Sequence, residues 1–420
     1  MVWRVCLPDV TVGFWDRGRD NSGNVRCENE ALAASETILV TEAHARAAVG
    51  VVRSFLRCGR QVVAASDRRC FAAGYVRGMR CHVKNPPLQE EPERFIKWLM
   101  SYLAGHSVSM LIPLGDAGTD LIARHQDEIR RYTRLYLPPY DRFLVAHDKI
   151  RTNQAAEKAG VAIPRCWYPG AGDVETVIRE ATWPVLVKPG IGVGARGIVR
   201  ANTPEELRSA WVTSQNGCFV QEMIPLTGSQ YVVDILIDEQ ARTVAAVASK
   251  KVRFYPVSGG ASTLSQTVHR PDLCDATERL LRAIGYHGVA NVDFIEDPRD
   301  GVPKLLEINP RFGEMHGVCS AAGVDLPWLL YRAAHGEKLP YAATYPAGVS
   351  MRFSPTDLMW FLKSSDRFRA KPGFWESLMG NKVAHTLIQG SDFGPVVGYL
   401  LENLALLGDP KKFAYRFRRR

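Results

Sequence analysis

The apolar run Trp183 to Val187 ends on Lys188 and opens at once into a loop that carries four glycines in eight residues, Gly190 to Gly197. A buried strand that delivers a lysine into a glycine-rich turn leaves few folds open. Without Cβ atoms, backbone N–H groups can close around an anion, and Lys188 and Arg196 add positive charge on either side. Such a loop, with Gly192, Gly194 and Gly197 at its centre, reads as a phosphate cradle. The plain alternative, a turn between two strands, is open on the loop alone.

About a hundred residues further on, Val292-Asp293-Phe294 and Leu306-Glu307-Ile308-Asn309-Pro310-Arg311 supply two carboxylates, an amide oxygen and a guanidinium. Mg²⁺ takes oxygen donors and commonly bridges one or two protein carboxylates to nucleotide phosphates. Asp293, Glu307 and Asn309 fit that demand. Glu307 and Asn309 are two apart, so in a strand both leave the same face. Asp297-Pro298-Arg299-Asp300-Gly301 reads as a turn, which makes the two segments a hairpin with all three oxygen ligands on one surface.

On these residues the chain resembles the ATP-grasp superfamily of ATP-dependent carboxylate-amine ligases, biotin carboxylase and carbamoyl phosphate synthase, over roughly Thr37 to Glu337. The resemblance implies ATP and Mg²⁺ (or Mn²⁺) as cofactors. It assigns Lys149 and Lys188 to the nucleotide phosphates and the Gly190–Gly197 loop to a flexible lid. It takes Phe219-Val220-Gln221-Glu222-Met223-Ile224-Pro225 as the hinge at which Glu222 and the backbone near Met223 and Ile224 meet adenine, with Gln221 beside them. Asp293, Glu307 and Asn309 fall on the metal ligands, and Arg311 on the arginine facing the transferred phosphate.

Two stretches depart from the family pattern. Gln230 stands where many relatives carry a glutamate, which keeps a hydrogen bond to ribose or substrate but loses the charge. Arg311-Phe312-Gly313-Glu314-Met315-His316-Gly317 places two titratable groups, Glu314 and His316, near the expected acyl phosphate. Either is a candidate general base for an incoming amine; the plainer reading is a helix start with a surface glutamate and a structural histidine. The segment Lys250 to Ser262 adds Lys251 and Arg253 as candidates for the γ-phosphate or a substrate carboxylate, against the plain reading of an exposed charged loop.

The expected fold class is α/β, an ATP-grasp fold. Residues 1–36 are an extension of uncertain order. Strands at Thr37–Thr41, Gln61–Ala65 and Val108–Ile112, alternating with helices, make residues 37–147 a parallel α/β lobe. A small lid lobe follows over 148–218, a larger α+β lobe with the adenine pocket and metal hairpin over 219–337, and a mainly helical, peripheral extension over 338–420. A dinucleotide fingerprint is absent, since Thr41-Glu42-Ala43-His44 stands in place of a glycine-rich first turn.

Composition excludes other classes. With 420 residues, 46% hydrophobic and 23% charged, the chain has ample material for a large core. It has no apolar run near the roughly 20 residues of a membrane span and no secretory layout at its start. Nine cysteines without a CxxC pair indicate neither a zinc site nor a disulfide framework, and reduced thiols point to the cytoplasm. The net charge of +9 is concentrated at Lys411-Lys412, at Arg416–Arg420 and around Arg130–Arg134, without a nucleic-acid signature. The tail reads as a solvated end rather than a membrane or nucleic-acid anchor.

The expected reaction is therefore the joining of a small-molecule carboxylic acid to an amine through an acyl phosphate, an amino acid or small peptide being implied by the resemblance alone. A carboxyphosphate-forming carboxylase or carbamoyl phosphate synthase-like subunit is the runner-up, and a non-catalytic nucleotide-binding regulator the third class. Many relatives are homodimers, and the sequence leaves that state open here.

Overall fold

The computed structural model describes residues 36–168, 174–192, 197–213, 217–257, 259–342, 344–379 and 383–407. Gly194 and Arg196 of the glycine-rich loop, residues 1–35 and the basic tail lie outside the described residues. The chain forms two compact units, one of Met1–Gly118, Asp127–Leu135 and Leu387–Arg420, the other of Thr119–Gln126 and Tyr136–Thr386.

In the first unit, strands β1 (Thr37–Thr41), β2 (Gln61–Ser66), β3 (Cys81–Lys84) and β4 (Met110–Pro113) form a wholly parallel sheet in the order β3-β2-β1-β4. Ile38, Leu39 and Val40 are completely buried, as a central parallel strand covered on both faces requires. The final helix, Gly394–Leu407, belongs to this unit and packs on the short helix Ala72–Tyr75. Gly398 makes that contact possible, because a Cβ there would lie 2.6 Å from the Tyr75 ring. Arg53 ties down the segment just before the helix, its Nη2 reaching Asp392 Oδ2 at 3.0 Å.

The second unit holds two sheets. The smaller contains β5 (Cys166–Trp167), β6 (Val185–Pro189), β7 (Val199–Ala201) and β8 (Cys218–Glu222) in the antiparallel order β5-β8-β6-β7. Its core is Val177, Val185, Val187, Ala201, Leu207 and Val220 under two helices. The larger sheet contains β9 (Gln230–Ile237), β10 (Thr243–Tyr255), β11 (Ala261–Thr267), β12 (Gly288–Glu296), β13 (Pro303–Asn309), β14 (Ser350–Arg352) and β15 (Val383–His385), ordered β13-β12-β9-β10-β11-β14-β15. The segment past Lys338 is thus shared out: β14 and β15 extend the large sheet, while the last helix joins the first unit.

Strand pleating sorts this sheet into two faces. Val233, Ile235, Ala246, Ala248, Ala290, Val292, Phe294 and Ile308 share one apolar core with Leu273, Leu280, Leu281 and Ile284 of the helix Pro271–Ile284. Their alternates Asp234, Asn291, Asp293, Glu307, Asn309, Ser249 and Lys251 form the opposite, polar face. The register holds this order, with Asp293 directly across from Glu307 and Asn291 across from Asn309.

A register shift changes one expectation. Lys251 lies opposite Ser265, yet Arg253 lies opposite Leu264, so Val252 is bulged and Arg253 turns to the face away from Lys251. There Arg253 is buried beneath the helix Ser354–Lys363, 3.4 Å from Asp357, with Nη2 donating to Ser377 Oγ at 2.5 Å and the guanidinium over the Trp360 ring. Arg352, also opposite Leu264, shares Asp357 at 2.7 Å. Arg253 is therefore a structural arginine, not a candidate for the reacting phosphate. Asp357 is the only carboxylate recorded in ion pairs with these two buried guanidiniums among the described residues. Replacing it by alanine is expected to lower stability by about 3–5 kcal/mol in urea unfolding; a change below about 1 kcal/mol would show that the two arginines are accommodated without it.

Candidate active site

Asp148 sets the position of the first lysine. Its side chain accepts the Ile150 N–H at 2.9 Å and so starts the helix Lys149–Lys158 with Lys149 as the first helical residue. A cation at that end opposes the helix dipole, so local helix energetics do not explain it. Lys149 Nζ lies 3.2 Å from Glu307 Oε2 and donates to the Gly192 carbonyl at 3.1 Å. The helix start, the glycine-rich loop and the carboxylate hairpin therefore meet at one ammonium group.

Lys251 makes the second link, its Nζ 2.5 Å from Asp293 Oδ1. Burial alone would lower its pKa, but Asp293, with Glu307 and Glu314 further away, raises it above the ordinary lysine value. Glu307 shows the converse: burial would raise its pKa, and Lys149, with Lys251 and Lys188 further off, holds it below the usual value. Lys188, on β6, is buried and bonded to Gln221 Oε1 at 2.5 Å, and burial pulls it down to about 8 against the opposing pull of Glu307. Gln221 thus holds the lysine.

Arg311 follows the hairpin, with Nη2 donating to Asn309 Oδ1 at 3.3 Å and Nη1 to the Phe312 carbonyl at 3.1 Å. Asn309 in turn donates to Asp293 Oδ2 at 3.4 Å. Glu314 is exposed, and its charge acts on Lys251. His316 is different: it is 1% exposed, its Nδ1 lies 2.9 Å from the Gly313 carbonyl, its ring packs on Phe312, and burial lowers its pKa. It is the structural histidine of the plainer reading. Its place at the start of the helix Gly317–Ala321 turns the ring inward, where a proton is costly.

At the hinge, Glu222 is committed elsewhere. Its carboxylate pairs with Arg299 and accepts the Arg165 N–H at 3.3 Å, so it is not an unshared acceptor for adenine. Arg299, from the hairpin turn, was not legible as its partner. Met223 donates its N–H to the Pro184 carbonyl at 3.3 Å, and Ile224 is buried beside it. Gln230 begins β9, opposite Ile295. Gly197 has a φ of +72°, which suits glycine at the loop's return.

Asp234 and Asn291, which belong to no motif of the sequence, lie on the polar face beside Asp293. Asn291 donates to Asp234 Oδ1 at 2.7 Å, and burial pushes the Asp234 carboxyl up to about 6. Gly313 closes over this pair, since a Cβ there would meet Asn291 Nδ2 at 2.2 Å. The signal was present in the Asn291-Val292-Asp293 alternation.

Among the described residues there is no group of three or more His, Cys, Asp or Glu arranged for a metal. Two apposed carboxylates with an amide oxygen nearby suit Mg²⁺ nonetheless, because that ion completes its shell with water and phosphate oxygens. A structural zinc site would need a closed set of four protein ligands.

Comparison with known proteins identifies the fold. Residues 219–354 match the family model described as ATP-grasp in the biosynthetic pathway with Ter operon. The carbamoyl phosphate synthase large chain of Clostridium beijerinckii is 26% identical over 213 residues, 47% of this chain and 19% of its own. The chain spans about a fifth of the length of the first curated relatives it matches. Biotin carboxylase from Campylobacter jejuni superposes with a TM-score of 0.62 at 15% identity, covering 75% of this chain and 74% of that one. The L-amino acid ligase of Bacillus licheniformis gives 0.55 at 16% identity, covering 72% and 75%. The fold is the ATP-grasp fold, and the chain carries an ATP-grasp domain.

The lowered pKa of Lys188 gives a pH test. Its ammonium is charged below about 8 and neutral above, so binding of ATP by this group is expected to weaken as pH rises through that value. Titrating the protein with a non-hydrolysable ATP analogue from neutral to alkaline pH should show this limb, and Lys188→Arg should remove it. A flat profile for the unsubstituted protein would mean that Lys188 does not meet the phosphates.

Proposed function

We propose that the protein is an ATP-dependent carboxylate-amine ligase that forms an amide through an acyl phosphate. The observation that carries this reading is the interlocked set on the polar face of the large sheet, in which Lys149 faces Glu307 at 3.2 Å and Lys251 faces Asp293 at 2.5 Å. Lys149 holds Glu307 ionised, burial raises the Asp293 carboxyl against the pull of Lys251, and each ammonium is placed for phosphate oxygens. Asp293, Glu307 and Asn309 would hold Mg²⁺, which when bound neutralises charge on the nucleotide phosphates.

In this reading a substrate carboxylate oxygen attacks the γ-phosphorus of ATP, the bond to the β-phosphate oxygen breaks, and ADP leaves. Lys149, Lys188 and Lys251 offset the charge on the phosphates. Positioning and electrostatic stabilisation supply the catalysis, as expected for phosphoryl transfer. Arg311 faces the acyl phosphate. An amine then attacks the acyl carbon, phosphate departs with the C–O bonding pair, and the amine's proton passes to a base. Glu314, exposed and electrostatically coupled to Lys251, is the candidate base, and buried His316 is not. The Gly190–Gly197 loop shields the acyl phosphate from water. Adenine would be read by the Met223 carbonyl and the Ile224 peptide group, with Gln230 toward ribose.

A second reading, formation of carboxyphosphate from bicarbonate, draws support from the likeness to biotin carboxylase and carbamoyl phosphate synthase. One assay separates the two. Mg²⁺-dependent ADP release should require an acid and an amine together and yield a product whose mass is their sum less water. Release driven by bicarbonate alone would replace the ligase by the carboxyphosphate reading. Glu307→Gln should reduce turnover by at least about a hundredfold with an unchanged circular dichroism spectrum; undiminished ATP consumption would refute the metal assignment.

A further inference from the structure

Gln221 meets the buried ammonium of Lys188 with an amide whose two ends are unlike. Its Oε1 accepts from Lys188 Nζ at 2.5 Å, whereas an amide turned end for end would press N–H groups against the cation. Lys188 is 8% exposed and Gln221 1%, so water supplies no substitute for that acceptor. The group at the far end of the amide therefore decides which way it points.

That group is Cys166. It lies directly across from Gln221 in the pairing of β5 with β8, and Lys188 on β6 lies across from Phe219, two residues from Gln221, so the three side chains share one face. Cys166 Sγ donates its proton to the Pro164 carbonyl at 3.2 Å. Its lone pairs are left for donors, and two amides supply them: Gln221 Nε2 at 3.3 Å and Asn153 Nδ2 at 3.4 Å. A thiol whose proton is committed to the backbone takes an N–H from Gln221 and refuses its oxygen, which sends Oε1 to Lys188. Burial pushes the thiol up to about 11, so it keeps that proton at neutral pH. Asn153 is completely buried and stands one turn after Lys149 in the helix Lys149–Lys158, so the same sulfur braces the helix that carries the other phosphate lysine.

We propose that Cys166 is a positioning residue for ATP, which orients the Gln221 amide so that the Lys188 ammonium keeps its acceptor while it faces the nucleotide phosphates. This rests on the reading that Lys188 meets those phosphates, and the thiol itself touches no substrate. The other charged and titratable groups acting on Lys188 are Glu307 and Lys149, and those acting on Cys166 are Glu157 and Tyr168.

The test compares the full chain with Cys166→Val, which keeps the bulk and removes the polar contacts, and Cys166→Ser, which restores a donor and acceptor. Cys166→Ala, which needs no extra room, is the second deletion variant. In the first measurement, without nucleotide, Lys188 is titrated by NMR of the chain labelled at lysine Cε, its signal being the one lost in Lys188→Arg. Both deletion variants should move the titration to lower pH, because a buried ammonium that loses its acceptor is costlier to keep charged, and Cys166→Ser should move it back. In the second measurement, the alkaline limb of binding to a non-hydrolysable ATP analogue should move the same way, with affinity on that limb falling at least about fivefold. An unmoved Lys188 titration in the deletion variants would overturn the role of Cys166, whatever the nucleotide does. A titration that moves while nucleotide binding has no alkaline limb in any of the proteins would overturn the assignment of Lys188 to the phosphates, and the ATP role of Cys166 with it.

Discussion

Everything in the candidate active site depends on two ion pairs held between a hairpin and its neighbours, Lys149 with Glu307 and Lys251 with Asp293. All four side chains are a quarter exposed or less, and removing charges from water costs several kcal/mol per ion. Well-packed apolar side chains of similar volume would serve stability as well or better. The retention of four charges, with Asp234 and Asn291 beside them and Lys188 nearby, is therefore a sign of chemistry. A cation and a polyphosphate could exchange with these partners one for one: the metal against the ammonium groups, the phosphates against the carboxylates.

The large sheet makes this arrangement possible by separating its faces. One face carries the apolar core with the helix Pro271–Ile284, and that core holds the strands in register. Register then places Asp293 across from Glu307 without further help. A slip of one residue in either strand would carry that strand's carboxylate into the core. The same logic explains the end of β10, where a single bulged residue sends Arg253 to a different task from that of Lys251. Chemistry and stability are divided between the two faces, and the bulge marks where the division is redrawn.

Features that depend on local spacing were legible in the sequence. The hairpin could be read because Glu307 and Asn309 are two apart and a Pro-Gly turn precedes them. The strand leading to Lys188 could be read from its apolar run, and the parallel lobe from its alternation of strands and helices. What escaped depends on partners distant in the chain. Arg253 resembled its neighbour Lys251 until pairing with β11 exposed the bulge. Glu222 looked available until Arg299, 77 positions away, took its carboxylate. His316 offered a titratable ring, but only the packing on Phe312 shows that burial keeps it neutral. The stretch past Lys338 read as a peripheral piece because its two strands, β14 and β15, are three residues each and carry little periodic signal.

In the proposed ligase, Asp293, Glu307 and Asn309 become a divalent-cation site only when nucleotide phosphates complete it. Electron paramagnetic resonance of Mn²⁺ added to the unsubstituted protein tests this directly, with and without a non-hydrolysable ATP analogue. The expected result is weak Mn²⁺ binding alone and a clear rise in bound ion when the analogue is present, beyond what the analogue binds by itself. Tight Mn²⁺ binding that does not depend on nucleotide, or no protein-bound ion with the analogue present, would contradict it.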